Sequence, residues 1–120
     1  MYNIAHVALV VNDLEASKKF YSEVLGMVHQ GSHEDARMEI AYMDSGNGII
    51  ELLHYFEPGT DRTAGVVDHI AFKVENMDEE LERLKKAGVK FILESPKPFK
   101  EGCIFFFAGP DGERIEFVQE

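Results

Sequence analysis

The stretch His69-Ile70-Ala71-Phe72-Lys73-Val74 decides the fold, because it occurs twice. Its twin is His6-Val7-Ala8-Leu9-Val10-Val11, near the start of the chain. Each reads histidine, branched apolar, alanine, large apolar, variable, valine. Alternation of this kind predicts a β-strand with two unlike faces. Val7, Leu9 and Val11 share one face of the first copy, and Ile70, Phe72 and Val74 share one face of the second. His6, Ala8 and Val10 lie on the opposite face, as do His69, Ala71 and Lys73. A histidine with a small alanine two residues on suits a face that keeps space open.

The duplication continues beyond the strands. Val11-Asn12-Asp13-Leu14 leads into a helical segment ending Val24-Leu25-Gly26, and Val74-Glu75-Asn76-Met77 into one ending Lys86-Ala87-Gly88. The first copy closes on Gly48-Ile49-Ile50-Glu51-Leu52-Leu53, the second on Gly112-Glu113-Arg114-Ile115-Glu116-Phe117-Val118. Glu51 follows His6 by 45 residues and Glu116 follows His69 by 47. A period of about sixty residues exceeds that of solenoid repeats and indicates a single duplication.

Taken in order, residues 3–11 are expected to form a strand, with Asp13 as N-cap of a helix whose Leu14, Ser17, Phe20, Tyr21, Val24 and Leu25 recur at helical spacing. Gly26 supplies the stop. Strands at 27–33, 37–43 and 49–56 follow, the last two joined by the turn Asp44-Ser45-Gly46-Asn47-Gly48. Glu57–Gly65 is a short polar connector. The second copy then gives a strand, a helix capped by Asn76 and Glu79 with Met77, Leu81, Leu84 and Ala87 as its buried stripe, a short strand at 89–93, and a loop at 94–102. Strands at 103–108 and 113–118 flank the turn Gly109-Pro110-Asp111-Gly112. The expected architecture is α+β: two tandem βαβββ modules, residues 1–57 and 66–120, in one domain spanning 1–120.

The composition narrows the partners. The 120 residues fit one compact unit, and 45% apolar content with nine Phe can supply a core. Twelve basic against 22 acidic residues give a net charge of -10, which argues against nucleic acid or an anionic membrane as partner. The lone Cys103 excludes an internal disulfide and fits a reducing compartment. No apolar run approaches the roughly 20 residues of a membrane span, and no secretory leader opens the sequence, so a cytoplasmic protein is expected. A homodimer is expected too, since modules of this size leave apolar sheet edge and face to cover.

Alternation sets Glu51 opposite Ile50 and Leu52, and Glu116 opposite Ile115 and Phe117. His6, Glu51, His69 and Glu116 thus all lie away from the aliphatic faces that the helices require. If the modules pair about a pseudo-two-fold, those faces line one cleft. Two imidazoles and two carboxylates form a divalent-metal site that leaves positions for water on a six-coordinate ion. His29, His33 and His54 have no partner in the repeat and read as ordinary surface or edge histidines; Cys103 reads as a small packed residue.

These residues together resemble the vicinal-oxygen-chelate superfamily, and within it glyoxalase I (lactoylglutathione lyase)-like proteins. The resemblance spans essentially the whole chain. It rests on His6–Leu14, Phe20-Tyr21 with Val24-Leu25-Gly26, Ile50-Glu51-Leu52, His69-Ile70-Ala71-Phe72, and Pro110-Asp111-Gly112 before Ile115-Glu116. A His and a Glu from each module resembles the glyoxalase I ligand set. Extradiol dioxygenases and metal-dependent fosfomycin-resistance enzymes typically use two His and one Glu.

The resemblance implies one divalent ion per site, Ni or Zn first, with Co, Fe or Mn as further candidates. It implies isomerisation of a 2-oxoaldehyde–thiol hemithioacetal such as that of methylglyoxal. A carboxylate, Glu116 with Glu51 as partner, moves the proton through an enediolate to give a 2-hydroxyacyl thioester. A methylmalonyl-CoA epimerase-type activity is the alternative, and a metal-free ligand-binding or resistance protein a third. In glutathione-using members a basic residue on the first strand and an Asn shortly after the first metal Glu hold glutathione. Val10 and Tyr55 stand nearest those places, so another thiol adduct or a CoA thioester stays open as substrate. Lys97, Lys100 and Arg37 read as solvated surface charges, with a CoA phosphate or a glutathione carboxylate as the alternative partner.

Overall fold

The computed structural model describes residues 5–57, 67 and 69–120. Most of the connector Glu57–Gly65, the start of the first strand at 3–4, and Asp68 lie outside the described residues. The chain divides into two compact units, Met1–Arg62 and Thr63–Glu120.

The first unit holds β1 (His6–Val10), α1 (Leu14–Lys19), β2 (Val28–Glu34), β3 (Met38–Asp44) and β4 (Ile49–Tyr55). Its sheet runs β1-β4-β3-β2, with β1 parallel to β4 and the other pairs antiparallel. Asp13 caps α1, its Oδ1 accepting the Ala16 N–H at 3.0 Å. The α-helix ends sooner than the spacing predicts. A π turn occupies Phe20–Val24, where the Leu25 N–H reaches back five residues to the Phe20 carbonyl. The turn buries Tyr21, and Gly26 at φ +72 ends the segment in the left-handed conformation. Helix α1 packs on β3 and β4, whose inward side chains Ala41, Met43, Ile50 and Leu52 are buried. At the β2–β3 turn Asp35 accepts the N–H groups of Arg37 and Met38, which hold its carboxyl below the ordinary aspartate range.

The second unit holds β5 (Ile70–Lys73), α2 (Met77–Lys86), β6 (Lys90–Phe91), β7 (Lys97–Phe99), β8 (Gly102–Ala108) and β9 (Arg114–Gln119). Its sheet runs β5-β9-β8-β6, and β7 pairs with the other end of β8. The segment 94–102, expected to be loop, therefore contains a strand. Pro98 opposes Cys103 there on a strand bonded along one side only, where the missing N–H is tolerated. The expected strand at 89–93 shrinks to two residues.

Asn76 Oδ1 accepts the Glu79 N–H at 3.2 Å, and Gln119 Oε1 on β9 takes the Met77 N–H at 2.5 Å, so two orphan donors of α2 are satisfied. Met77 and Leu84 are buried and Leu81 half-buried, whereas Ala87, the C-cap residue, lies exposed outside the stripe. Phe105, Phe107, Ile115 and Phe117 form the core face of the sheet, with edge-to-face rings at Phe91–Phe105 and Phe107–Phe117.

The two units are the same design. In each, the first strand runs parallel to the last, and the register matches: Ala8 opposes Glu51, and Ala71 opposes Glu116. The ladder also ends alike. Val11 N–H donates to the Leu53 carbonyl at 2.8 Å, and Val74 N–H to the Val118 carbonyl at 2.9 Å. No helix among the described residues is long and apolar enough to cross a membrane.

Candidate metal centre

The registers explain where the ligand candidates fall. Residues directly opposite in a sheet project from the same face, and diagonal neighbours two residues off remain within reach of long side chains. Glu51 thus shares a face with Ala8 and with His6 two residues before it. Glu116 shares one with Ala71 and with His69, which immediately precedes β5. His6 Nδ1 lies 3.2 Å from Glu51 Oε2, and His69 Nε2 lies 3.1 Å from Glu116 Oε1. Both pairs occupy the sheet face away from the buried apolar core residues.

The pairs differ in exposure and presentation. The side chains of His6 and Glu51 are 47% and 16% exposed, those of His69 and Glu116 34% and 12%. The first imidazole offers Nδ1 to its carboxylate and the second Nε2. Phe106, opposite Glu116 in the β8–β9 register, sets its ring edge-to-face against His69 with centroids 5.2 Å apart. Tyr42 holds the corresponding place opposite Glu51.

The donor set fits a divalent ion. Metal–nitrogen and metal–oxygen distances near 2.0–2.2 Å place neighbouring donors of an octahedron about 3.0 Å apart. Each imidazole–carboxylate separation is close to that edge. A carboxylate this shielded from water needs a positive or hydrogen-bonding partner, which an imidazole supplies in part and a cation more fully. Among the described residues no third His, Cys, Asp or Glu joins either pair.

The other sequence candidates sit elsewhere. His29 is exposed, its Nε2 3.0 Å from Ser32 Oγ. His33 is exposed beside Asp35 at 3.7 Å. His54 Nδ1 faces the Val11 carbonyl at 3.3 Å, and its ring meets Phe56. Cys103 is a free, half-buried thiol on β8. Arg114 is the residue that sequence reasoning passed over. It lies two residues before Glu116 on the same face of β9, with its guanidinium carbon 5.5 Å from the centre of the Phe106 ring. The signal was present in the alternation, which places 114 with 116.

Two helix-backed sheets, each with its first strand parallel to its last and a His–Glu pair on the face away from the helix, define a duplicated α+β protein. The model of the Glyoxalase/Bleomycin resistance protein/Dioxygenase superfamily matches residues 3–117, and the chain belongs to that superfamily. A lactoylglutathione lyase of Neisseria meningitidis is 32% identical over 98% of this chain and 90% of its own. Among solved structures, a glyoxylase/bleomycin resistance protein/dioxygenase domain from Frankia is 28% identical, with a TM-score of 0.84 over 99% of this chain and 98% of that one. The trypanothione-dependent glyoxalase I of Leishmania major is 25% identical, with a TM-score of 0.85 over the whole of this chain and 88% of its own.

Proposed function

We propose that this chain is a metal-dependent, glyoxalase I-like lyase. It would isomerise the hemithioacetal of a 2-oxoaldehyde and a thiol to the thioester of a 2-hydroxy acid. The observation that carries this reading is the duplicated His–Glu pair, at 3.2 Å in one unit and 3.1 Å in the other. The lyase and glyoxalase I relatives support it. His6, Glu51, His69 and Glu116 would hold one divalent ion, Ni or Zn first. The ion would supply Lewis acidity towards two neighbouring substrate oxygens and favour an enediolate over the starting carbonyl.

The protein's own part is proton transfer and exclusion of water. Glu116, the more shielded carboxylate, takes the proton from the carbon that bears the sulfur and the hydroxyl. The electron pair of that C–H bond forms the carbon–carbon double bond of the enediolate. Returning the proton to the adjacent carbon, while the hydroxyl proton of the first carbon passes to the oxygen of the second, gives the thioester, with no net oxidation. His69 fixes the orientation of Glu116, and Glu51 serves chiefly as a ligand. We place the protein as a homodimer and treat modules 1–57 and 66–120 as one functional domain.

A second reading follows from the near-equality of the pairs. In a methylmalonyl-CoA epimerase-type enzyme two carboxylates exchange a proton with one carbon from opposite sides. The test is metal analysis of protein purified without chelator. Ni, Co or Zn loading and parallel assays then follow, with methylglyoxal plus each of several thiols and with methylmalonyl-CoA. Turnover of a hemithioacetal supports the lyase; turnover of methylmalonyl-CoA alone supports the epimerase; protein that purifies without metal and binds none overturns both.

A further inference from the structure

The turn between β3 and β4 leaves two reactive groups unpaired, whereas its counterpart in the second unit holds the matching glycine nitrogen in a bond. Both turns set a side-chain carbonyl directly before a glycine: Asn47-Gly48 in the first unit, Asp111-Gly112 in the second. In the second, the Gly112 N–H donates to the Gly109 carbonyl at 3.0 Å, and the Asp111 N–H to Glu113 Oε1 at 2.8 Å. The first turn places its hydrogen bonds elsewhere. Asp44 Oδ1 accepts the Gly46 N–H at 2.8 Å, and Asp44 Oδ2 accepts from Gln30 Nε2 at 2.8 Å. Ser45 donates twice to the Gly48 carbonyl, through its N–H at 3.0 Å and its hydroxyl at 3.1 Å. Among the described residues, neither the Asn47 side-chain amide nor the Gly48 N–H has a partner, and Asn47 is exposed.

We propose that Asn47-Gly48 is a self-modifying site, at which the chain converts its own asparagine to aspartate and isoaspartate. Glycine has no Cβ to hinder the rotation that brings its nitrogen to the Asn47 side chain. The Gly48 nitrogen, losing its proton, attacks the side-chain carbonyl carbon of Asn47. The new C–N bond closes a five-membered succinimide. The side-chain nitrogen leaves as ammonia and takes up a proton as it goes. Water then opens the ring at either carbonyl. Breaking the bond from Gly48 N to the side-chain carbon gives aspartate in an ordinary backbone. Breaking the bond to the main-chain carbon leaves the backbone running through the side chain, which is isoaspartate. Water is the only co-reactant, and nothing is oxidised or reduced.

The position gives the change a structural consequence. The ladder starts immediately beyond the turn, where Ile49 opposes Asp44 on one side and His6 on the other. Isoaspartate adds one backbone atom before Ile49 and one negative charge close to Asp44. The double bond from Ser45 to the Gly48 carbonyl no longer fits, and the start of β4, the strand that carries Glu51, is loosened.

The test is the rate of ammonia loss in the folded and the unfolded protein, which does not depend on what the protein catalyses. Cleavage after Arg37 and Arg62 releases residues 38–62, in which Asn47 is the only side-chain amide. A gain of about 1 Da on that peptide therefore reports this position alone. Cleavage after Lys73 and Arg83 releases residues 74–83 with Asn76 as the internal comparison. Asn76 Oδ1 is held by the Glu79 N–H, and the next nitrogen, that of Met77, by Gln119. Protein is kept at mildly alkaline pH, native or unfolded in guanidinium chloride. Two hydrogen bonds must break at Asn76, so folding is expected to slow conversion there at least about tenfold. No such bond holds Asn47 or Gly48, and folding is expected to slow conversion at Asn47 by clearly less than that. The folded-to-unfolded ratio cancels the intrinsic reactivity of each sequence. Slowing by about tenfold or more at Asn47 overturns the proposal.

Two further readouts test the route. Gly48→Ala keeps the turn, since the added methyl meets nothing nearer than the Ser45 hydroxyl at 3.9 Å. It is expected to slow conversion in the folded protein at least about threefold, because a Cβ restricts the attacking nitrogen. An unchanged rate overturns ring closure through Gly48. Asn47→Asp supplies the aspartate standard, and a second product of equal mass that elutes apart from it is isoaspartate. Aspartate as the sole product means direct hydrolysis and likewise overturns the proposal.

Discussion

Ala71 stands directly opposite Glu116 in the parallel pairing of β5 with β9, as Ala8 stands opposite Glu51 in the pairing of β1 with β4. Each alanine is exposed and stands two residues after a histidine, on the same face as the carboxylate. A methyl group is the whole side chain on that stretch of the face, so the His–Glu pair can be approached from beside it. The histidine fixes one end of the pair, the parallel register fixes the other, and the alanine keeps the space between strand and solvent unfilled.

Replacing Ala71 with Leu should fill that space. The position is exposed, so unfolding free energy is expected to move by no more than about 0.5 kcal/mol. Turnover of the hemithioacetal is expected to fall about 10–100-fold, because a small displacement of reacting groups is enough to produce such a loss. Denaturant titration and steady-state assay on the same preparation check both halves. A variant with unaltered turnover removes Ala71 from the approach path.

The metal assignment is tested by His69→Ala. Removing one of the four proposed ligands is expected to weaken the affinity for the divalent ion at least about a hundredfold, since changes one layer further out already cost about 10–100-fold. The same change at His29 or His33, both exposed and engaged with Ser32 and Asp35 on their own strand and turn, should leave affinity unaltered. Metal content after dialysis against a graded chelator series gives the answer. Full affinity in the His69 variant refutes the ligand set.

Much of this was legible in the sequence because β-strands have a period of two and the chain repeats itself. The period set Glu51 apart from Ile50 and Leu52, and the repeat singled out His6 and His69 among five histidines. Three features were not legible. Phe20, Tyr21, Val24 and Leu25 satisfy an α and a π turn equally, since both leave those four on the covered side; only the Leu25-to-Phe20 hydrogen bond distinguishes them. Lys97-Pro98-Phe99 carries the composition of a loop, and its pairing with β8 is a tertiary event that overrides local preference. Arg114 was hidden by the glutamate two residues on. A charged residue at the mouth of a strand reads as solvated until the partner ring, Phe106, is placed beneath it.

The second sheet is closed at one end by a contact that only glycine permits. A Cβ built on Gly102 would sit 1.8 Å from the Gln119 carbonyl oxygen at the end of β9. Gly102→Ala must therefore part β8 from β9 or shift the turn before it. A loss of about 1–3 kcal/mol or more is expected, in the range of overpacking changes. Gly48→Ala, whose added methyl would meet nothing nearer than the Ser45 hydroxyl at 3.9 Å, is the matched control and should be near neutral. Urea midpoints for the two variants measure the difference, and equal midpoints would show that the β8–β9 approach relaxes without cost.

Glu116→Gln separates ligation from proton transfer. The amide oxygen can still bind a cation, and the side chain keeps nearly the same volume among Ala71, Phe106 and His69. It cannot accept a proton near neutral pH. General-base contributions are commonly about 10²–10⁴-fold, so turnover should fall by that order with a smaller loss of metal affinity. Glu113→Gln is the internal control. The Glu113 carboxylate turns back into the 109–113 turn, where its Oε1 accepts the Asp111 N–H at 2.8 Å, a bond the glutamine oxygen can also accept. That variant should retain activity. Glu51→Gln orders the two carboxylates: Glu51 is the more exposed of the pair and faces the more exposed histidine, as suits a residue that is mainly a ligand. In a lyase with one principal base its replacement costs less than that of Glu116. In an epimerase with two alternating bases the two losses are comparable. Mild and equal effects at Glu116 and Glu113 would remove Glu116 from the chemistry altogether.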